Sequence, residues 1–213
     1  MSGKASDYKL FWREFRQTFE TTGAVLPSGR ALCCELARHV SGNGRPRRIL
    51  EVGPGTGVAT EQIIARMGPQ DTLELVELND RFVATLQQRL ETEPAWRQAA
   101  QRVRIHHLPV QQLAADAPYD AIVSGLPLNN FPATLVAEIF AKLREVAAAG
   151  ATLSFFEYVG VRKLKSLVAR RDERRRLGLV ESLIGDARKQ WGFGRRCVMA
   201  NVPPAWVHHL RYD

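Results

Sequence analysis

Between residues 48 and 158 apolar runs of strand length alternate with amphipathic helical patterns. That alternation predicts a parallel sheet whose crossovers are helices. The strand-like runs are 48–52, 73–77, 103–107, 121–124 and 152–158, and the helical patterns 58–67, 81–90 and 135–146. Two further strand-like runs, 195–200 and 206–212, are joined through Pro203 and Pro204 and predict a closing antiparallel pair.

A chain of 213 residues, 45% apolar and 24% charged, suits one domain with a sizeable core. No apolar run approaches the roughly 20 residues of a membrane span, and the N-terminal stretch lacks a signal-peptide pattern, so a cytoplasmic location is expected. Three cysteines, two of them adjacent, imply neither a disulfide framework nor a zinc site. The net charge of +8 calls for an acidic partner or surface, or serves solubility. Most of the excess sits in residues 161–176, "VRKLKSLVARRDERRR", with eight basic and two acidic residues. That run is compatible with a solvated segment and with a lipid-facing one. Near the N-terminus Tyr8, Phe11, Trp12, Phe15 and Phe19 form one aromatic stripe at helical spacing, with basic and polar residues elsewhere. Such an amphipathic helix either docks on the core or lies in a bilayer interface.

The stretch "LEVGPGTGVATEQIIARM", residues 50–67, runs from a strand through Gly53, Gly55 and Gly57 into a helix. A glycine turn there lets a ligand approach bare backbone beside a helix N-terminus. Glu77, at the end of the next strand, is placed to accept both hydroxyls of a ribose. Glu51, before the glycines, would repel a pyrophosphate and attract the ammonium of an amino-acid moiety. Adenosine at one end and a cationic amino acid at the other describe S-adenosyl-L-methionine (SAM).

"ILEVGPGTG" followed by "VELND" resembles the first motif and acidic second strand of class I SAM-dependent methyltransferases. The resemblance implies a Rossmann-like α/β fold: a mostly parallel seven-stranded sheet with helices on both faces. Many members follow the third strand with an Asp that holds the adenine amino group. "HHLPVQQL" puts Pro109 at about that place, leaving adenine to backbone amides or to Gln111 or Gln112. After the fourth strand, "SGLP" resembles the acceptor loop of amino-directed methyltransferases. The resemblance implies that the carbonyl of Leu126 and the side chains of Ser124 and Asn129 orient the acceptor nitrogen, with Tyr158 at the rim. Asn129 also reads as a turn residue capping the next helix. Leu126, Pro127, Leu128 and Phe131 would supply a low-polarity pocket.

The string "SGLPLNNFP", with "TGAVLPSGRAL" upstream and "NVPPAWVHHLR" near the end, is similar to bacterial phospholipid N-methyltransferases, which convert phosphatidylethanolamine stepwise to phosphatidylcholine. Carried onto this chain, that similarity puts Thr22, Gly23 and Ser28 near the cofactor. It divides the chain into a cofactor-covering N-terminal segment, 1–30, and a methyltransferase domain, 31–213. The expected partners are an anionic membrane surface, met by the aromatic stripe with Arg162, Lys163 and Lys165, and an amine-bearing lipid. Peripheral attachment to the inner face of the cell membrane follows. The same broad group shades into ornithine-lipid N-methyltransferases and, more distantly, rRNA adenine dimethylases, which are the alternatives. Nucleic acid is the less favoured partner, because no aromatic follows Pro127 to stack on a base. His106 with His107, and His208 with His209, are strand neighbours that point to opposite faces, so no metal site is expected from either pair.

Overall fold

The structure, a computed structural model, describes residues 29–42, 44–114, 116–159 and 171–213. The expectations for Tyr8, Phe11, Trp12, Phe15, Phe19, Thr22, Gly23, Ser28, Arg162, Lys163 and Lys165 lie outside the described residues.

Seven strands form one sheet: β1 (Arg48–Val52), β2 (Thr72–Glu77), β3 (Val103–His107), β4 (Tyr119–Ser124), β5 (Ala147–Tyr158), β6 (Gly192–Val198) and β7 (Ala205–Arg211). Their order is β3-β2-β1-β4-β5-β7-β6, with β1 to β5 parallel and β7 antiparallel to both neighbours. The helices are α1 (Arg30–Leu36), α2 (Val58–Ile64), α3 (Asp80–Thr92), α4 (Pro94–Ala99), α5 (Ala133–Glu145) and α6 (Arg171–Trp191). Local chemistry sets several of their starts. Asn79 caps α3 by accepting the Arg81 N–H at 2.9 Å, and Pro94 opens α4, where a missing N–H costs nothing.

Because side chains alternate along a strand, the central strands feed two cores. Ile49, Leu73, Leu75, Ala121 and Val123 pack with Leu32 and Leu36 of α1, Ile63 of α2 and Trp96 of α4. Leu50, Val52, Ile122 and Leu153 pack on the other face with Leu135, Val136 and Ile139 of α5 and Val180 and Ile184 of α6. On α6 the buried residues Leu177, Val180, Ile184 and Ala187 recur at helical spacing, which makes this helix a cover for the sheet.

The chain order reverses between β1 and β4, which lie side by side. Ligands of open α/β sheets bind at the C-terminal strand ends beside such a reversal. Here the loops that follow β1 and β4 meet.

Candidate functional site

Both loops are shaped by glycine. Gly53, Gly55 and Gly57 take φ of +70°, +57° and +84°, the left-handed region that other residues enter only at a cost of about 1–2 kcal/mol. A Cβ on Gly53 would lie 2.6 Å from Leu126, and one on Gly57 would lie 2.6 Å from the Trp96 ring. A Cβ on Gly55 would meet nothing within 4 Å, because that backbone faces open space. From the second loop Gly125 presses on the first: a Cβ there would lie 2.5 Å from the Gly53 carbonyl oxygen. The Gly125 N–H donates to the Val52 carbonyl at 2.8 Å and locks the two loops together.

They enclose a cavity of about 250 Å³. Its floor is residues 52–56, its sides carry Glu77, Leu78, Asn79, Phe82, Pro109 and Gln111, and Leu126 and Pro127 form the wall beside β4. Cys33 and Leu36 of α1 close it from one face. Burial pushes the Cys33 thiol up to about 12, with Glu51 adding to the shift, so this cysteine stays a neutral apolar wall.

Glu77 is buried at the end of β2 and fixes the glycine loop from the side. Its Oε2 accepts the Gly55 N–H at 3.1 Å, and its Oε1 accepts the N–H groups of Leu78 at 2.8 Å and Asn79 at 2.9 Å. Burial holds its carboxyl above the ordinary range against the pull of those donors. Two donors occupy Oε1, while Oε2, with one, keeps a lone pair to offer a hydroxyl in the cavity.

Glu51 is fully buried on the α2 face of β1 and does not line the cavity directly. Its Oε2 accepts the Thr60 hydroxyl at 2.6 Å, while its Oε1 has no hydrogen-bond partner among the described residues. Burial pushes this carboxyl up to about 8, the Thr60 bond opposes that, and the charge of Glu77 adds to it. A buried acceptor without a partner, beside a cavity, fits a cationic ligand group reached directly or through water.

At the opposite end Gln111 lines the cavity, with its Nε2 buried and without a partner among the described residues. A hydrogen-bonding side chain waiting there fits an adenine, as the departure at Pro109 suggests. Together the Glu51 acceptor, the space over Gly55, Glu77 and the Gln111 amide match the polarity of SAM.

The residues expected at the acceptor divide. Leu126 and Pro127 line the cavity, but the Leu126 carbonyl accepts the Leu128 N–H at 2.9 Å, and Leu128 and Phe131 belong to the core behind the wall. Ser124 is buried, with its Oγ accepting the Leu126 N–H at 3.4 Å; it supports the loop from beneath. Asn129 is buried too, and its Oδ1 has no partner among the described residues. Its carbonyl, with that of Phe131, accepts Nη1 of Arg176, which pins α6 to this loop. Tyr158 packs edge-on against Phe156 on the α1 face, away from the cavity lining.

Sequence reasoning did not anticipate Arg89. It stacks over Trp96 at 4.4 Å, is gripped by Glu93 at 2.7 Å, and donates to the Thr56 carbonyl at 2.9 Å, so it braces the glycine loop from outside. Its spacing of four to Glu93 was the available signal. The histidine pairs split across the sheet as expected. His208 meets Glu157 at 2.9 Å on the α6 face, and burial holds its imidazole below the ordinary range. His209 meets Ser154 at 2.8 Å and Glu35 of α1 at 3.3 Å. Among the described residues no group of three or more His, Cys, Asp or Glu could hold a metal, and no helix is long and apolar enough to cross a membrane.

Comparison with known proteins agrees with this geometry. Residues 49–150 match a family described as methyltransferase domain. The chain is 26% identical over 148 residues to an ornithine lipid N-methyltransferase of Singulisphaera acidiphila, covering 70% of this chain and 76% of that protein. A tRNA1(Val) (adenine(37)-N6)-methyltransferase of Yersinia pestis is 35% identical over 83 residues, 38% of this chain and only 32% of that protein. In fold, the chain is similar to the N-methyltransferase NodS of Bradyrhizobium japonicum, solved with S-adenosyl-L-homocysteine (TM-score 0.57, 16% identity, 84% of this chain and 85% of that one). It is also similar to the O-methyltransferase TomG of Streptomyces achromogenes, solved with SAM (TM-score 0.59, 17% identity, 86% and 79%).

Proposed function

We propose that this chain, a class I SAM-dependent methyltransferase by its domain and its fold, methylates the primary amine of a membrane lipid, phosphatidylethanolamine, stepwise toward phosphatidylcholine. One observation carries the lipid reading: the lipid N-methyltransferase of Singulisphaera is matched over most of both chains, whereas the RNA-directed relative is matched over about a third of its length. The same observation favours ornithine lipid as the second reading, since that lipid also presents a primary amine on an acyl-rich body.

SAM, when bound, supplies an electrophilic methyl on its sulfonium. Transfer to an amine is an in-line displacement, so the protein's work is to position and desolvate the reactants. Glu77 and the Gly55 backbone would hold the ribose, Gln111 the adenine and Glu51 the amino-acid end. Leu126 and Pro127 would form the apolar wall against which the acceptor nitrogen sits. Deprotonating a primary amine near pH 7 costs roughly 4 kcal/mol, and a low-polarity wall lowers that cost by disfavouring the ammonium. Attachment to the inner membrane surface would come from the aromatic stripe of residues 8–19 and the basic run of 161–176.

Mass spectrometry of lipid extracts tests the acceptor. With phosphatidylethanolamine vesicles and SAM, the proposal expects successive products gaining one, two and three methyl groups. Modification of ornithine lipid alone would transfer the function to the second reading.

A further inference from the structure

We propose that the tip of the β6–β7 hairpin, residues 199–204, is a membrane-docking finger that sets the cavity mouth against an anionic bilayer. The proposal rests on the lipid-acceptor reading and adds the surface by which the substrate is reached.

Topology places the finger. β7 runs antiparallel to β5 and β6 antiparallel to β7, so β6 points the same way as β1 to β5. The β6–β7 turn therefore emerges at the C-terminal edge of the sheet, the edge that carries the glycine loop and residues 125–127. At that turn Met199 is 71% and Val202 72% exposed, the two largest exposures of any large apolar side chain among the described residues. Val159, just past the end of β5, adds a third at 37%.

The turn beneath these side chains is built firmly. Asn201 is buried, its Nδ2 donating to the Pro203 carbonyl at 2.7 Å and its Oδ1 accepting the Gly29 N–H at 2.7 Å. The Val159 N–H donates to the Pro204 carbonyl at 2.7 Å. Pro203 and Pro204 fix their own φ and remove further freedom. A loop held from below by a buried asparagine and one backbone bond to Val159, yet crowned by exposed Met and Val, presents those side chains to something outside the chain. Its tie to Gly29 joins it to the start of α1, which walls the cavity with Cys33 and Leu36.

Three apolar side chains make too small a patch for a stable protein interface, which engages about 20–30 residues a side. No aromatic ring stands at the tip to stack on a nucleobase. A bilayer interface needs neither: it accepts a few apolar side chains ringed by cations that meet lipid phosphates. Those cations are present. Arg195 and Arg196 are exposed on opposite faces of β6 below the tip, the former stacked over Trp206 at 3.8 Å.

Co-sedimentation of the whole chain with vesicles tests this, using phosphatidylcholine with and without phosphatidylglycerol. The wild type is expected to pellet with anionic vesicles. Met199→Asp with Val202→Asp should lose about tenfold in partition, with SAM affinity and methylation of detergent-dispersed amine lipid unchanged. Met199→Trp should pellet at least as well as wild type, with tryptophan emission shifted to the blue on vesicles. Equal pelleting of the double variant and wild type, or no pelleting of wild type, overturns the finger. Loss of vesicle binding in the double variant from a chain that methylates neither lipid would uphold the finger and remove the acceptor reading.

Discussion

Glu51 sets a buried, half-satisfied carboxyl beside the cavity, and this has consequences for protons. With its carboxyl at about 8, the residue is mostly protonated at pH 7. Pairing with a ligand ammonium favours the ionised form, so SAM binding should release about one proton at pH 7. Calorimetry in buffers of different ionisation enthalpy reads that number directly, and Glu51→Gln should abolish it. The same shift affects the ligand-free protein with a definite sign. Because the folded carboxyl binds its proton more tightly than the unfolded one, Glu51 costs stability as pH rises from about 5 to 8. The melting temperature of Glu51→Gln relative to wild type should rise across that window; a pH-independent difference would contradict the burial argument. Glu77 calls for a gentler substitution. Alanine would strand three backbone N–H groups and cost about 1–3 kcal/mol, whereas Glu77→Gln keeps an acceptor. Glu77→Gln is expected to weaken SAM binding at least tenfold with little change in unfolding; unaltered affinity would remove Glu77 from the ribose site.

The loop between β1 and α2 divides its glycines between fold and ligand. Gly57→Ala drives a methyl into Trp96 in a left-handed backbone and should destabilise by about 2–4 kcal/mol. Gly55→Ala meets no protein atom, so it should cost only about 1 kcal/mol in chemical denaturation while occupying the space a ligand needs. Chemical denaturation and SAM titration of the two variants separate these roles; equal stability losses would refute the division. At this scale the sequence was informative wherever structure is local. β1 and β3 lie where their apolar runs predicted, and the glycine turn announced its geometry through residue type alone. β5 begins at Ala147, five residues before the predicted start, because "AAAGA" has little strand character and is held instead by pairing with β4. α1, α4 and most of α6 were not read as helices. The first two are short, and on α6 the charge of the N-terminal half masked the stripe of Leu177, Val180, Ile184 and Ala187. Arg89 behind the glycine loop and Glu157 opposite His208 were illegible for another reason: each contact exists only once distant segments are brought into register.

Across the whole molecule, a sheet reversal sets an apolar-walled cavity with an open mouth at one edge, and the same edge carries the Met199 and Val202 tip. Net charge of +8 suits both lipid and RNA, so charge alone does not choose the acceptor. Incubating the protein with methyl-labelled SAM, amine-lipid vesicles and unmodified rRNA, then separating lipid from RNA, puts the question directly. The account predicts label in the lipid fraction and none in RNA. Label confined to RNA would mean that the basic surface binds phosphates of nucleic acid and that the lipid reading is wrong.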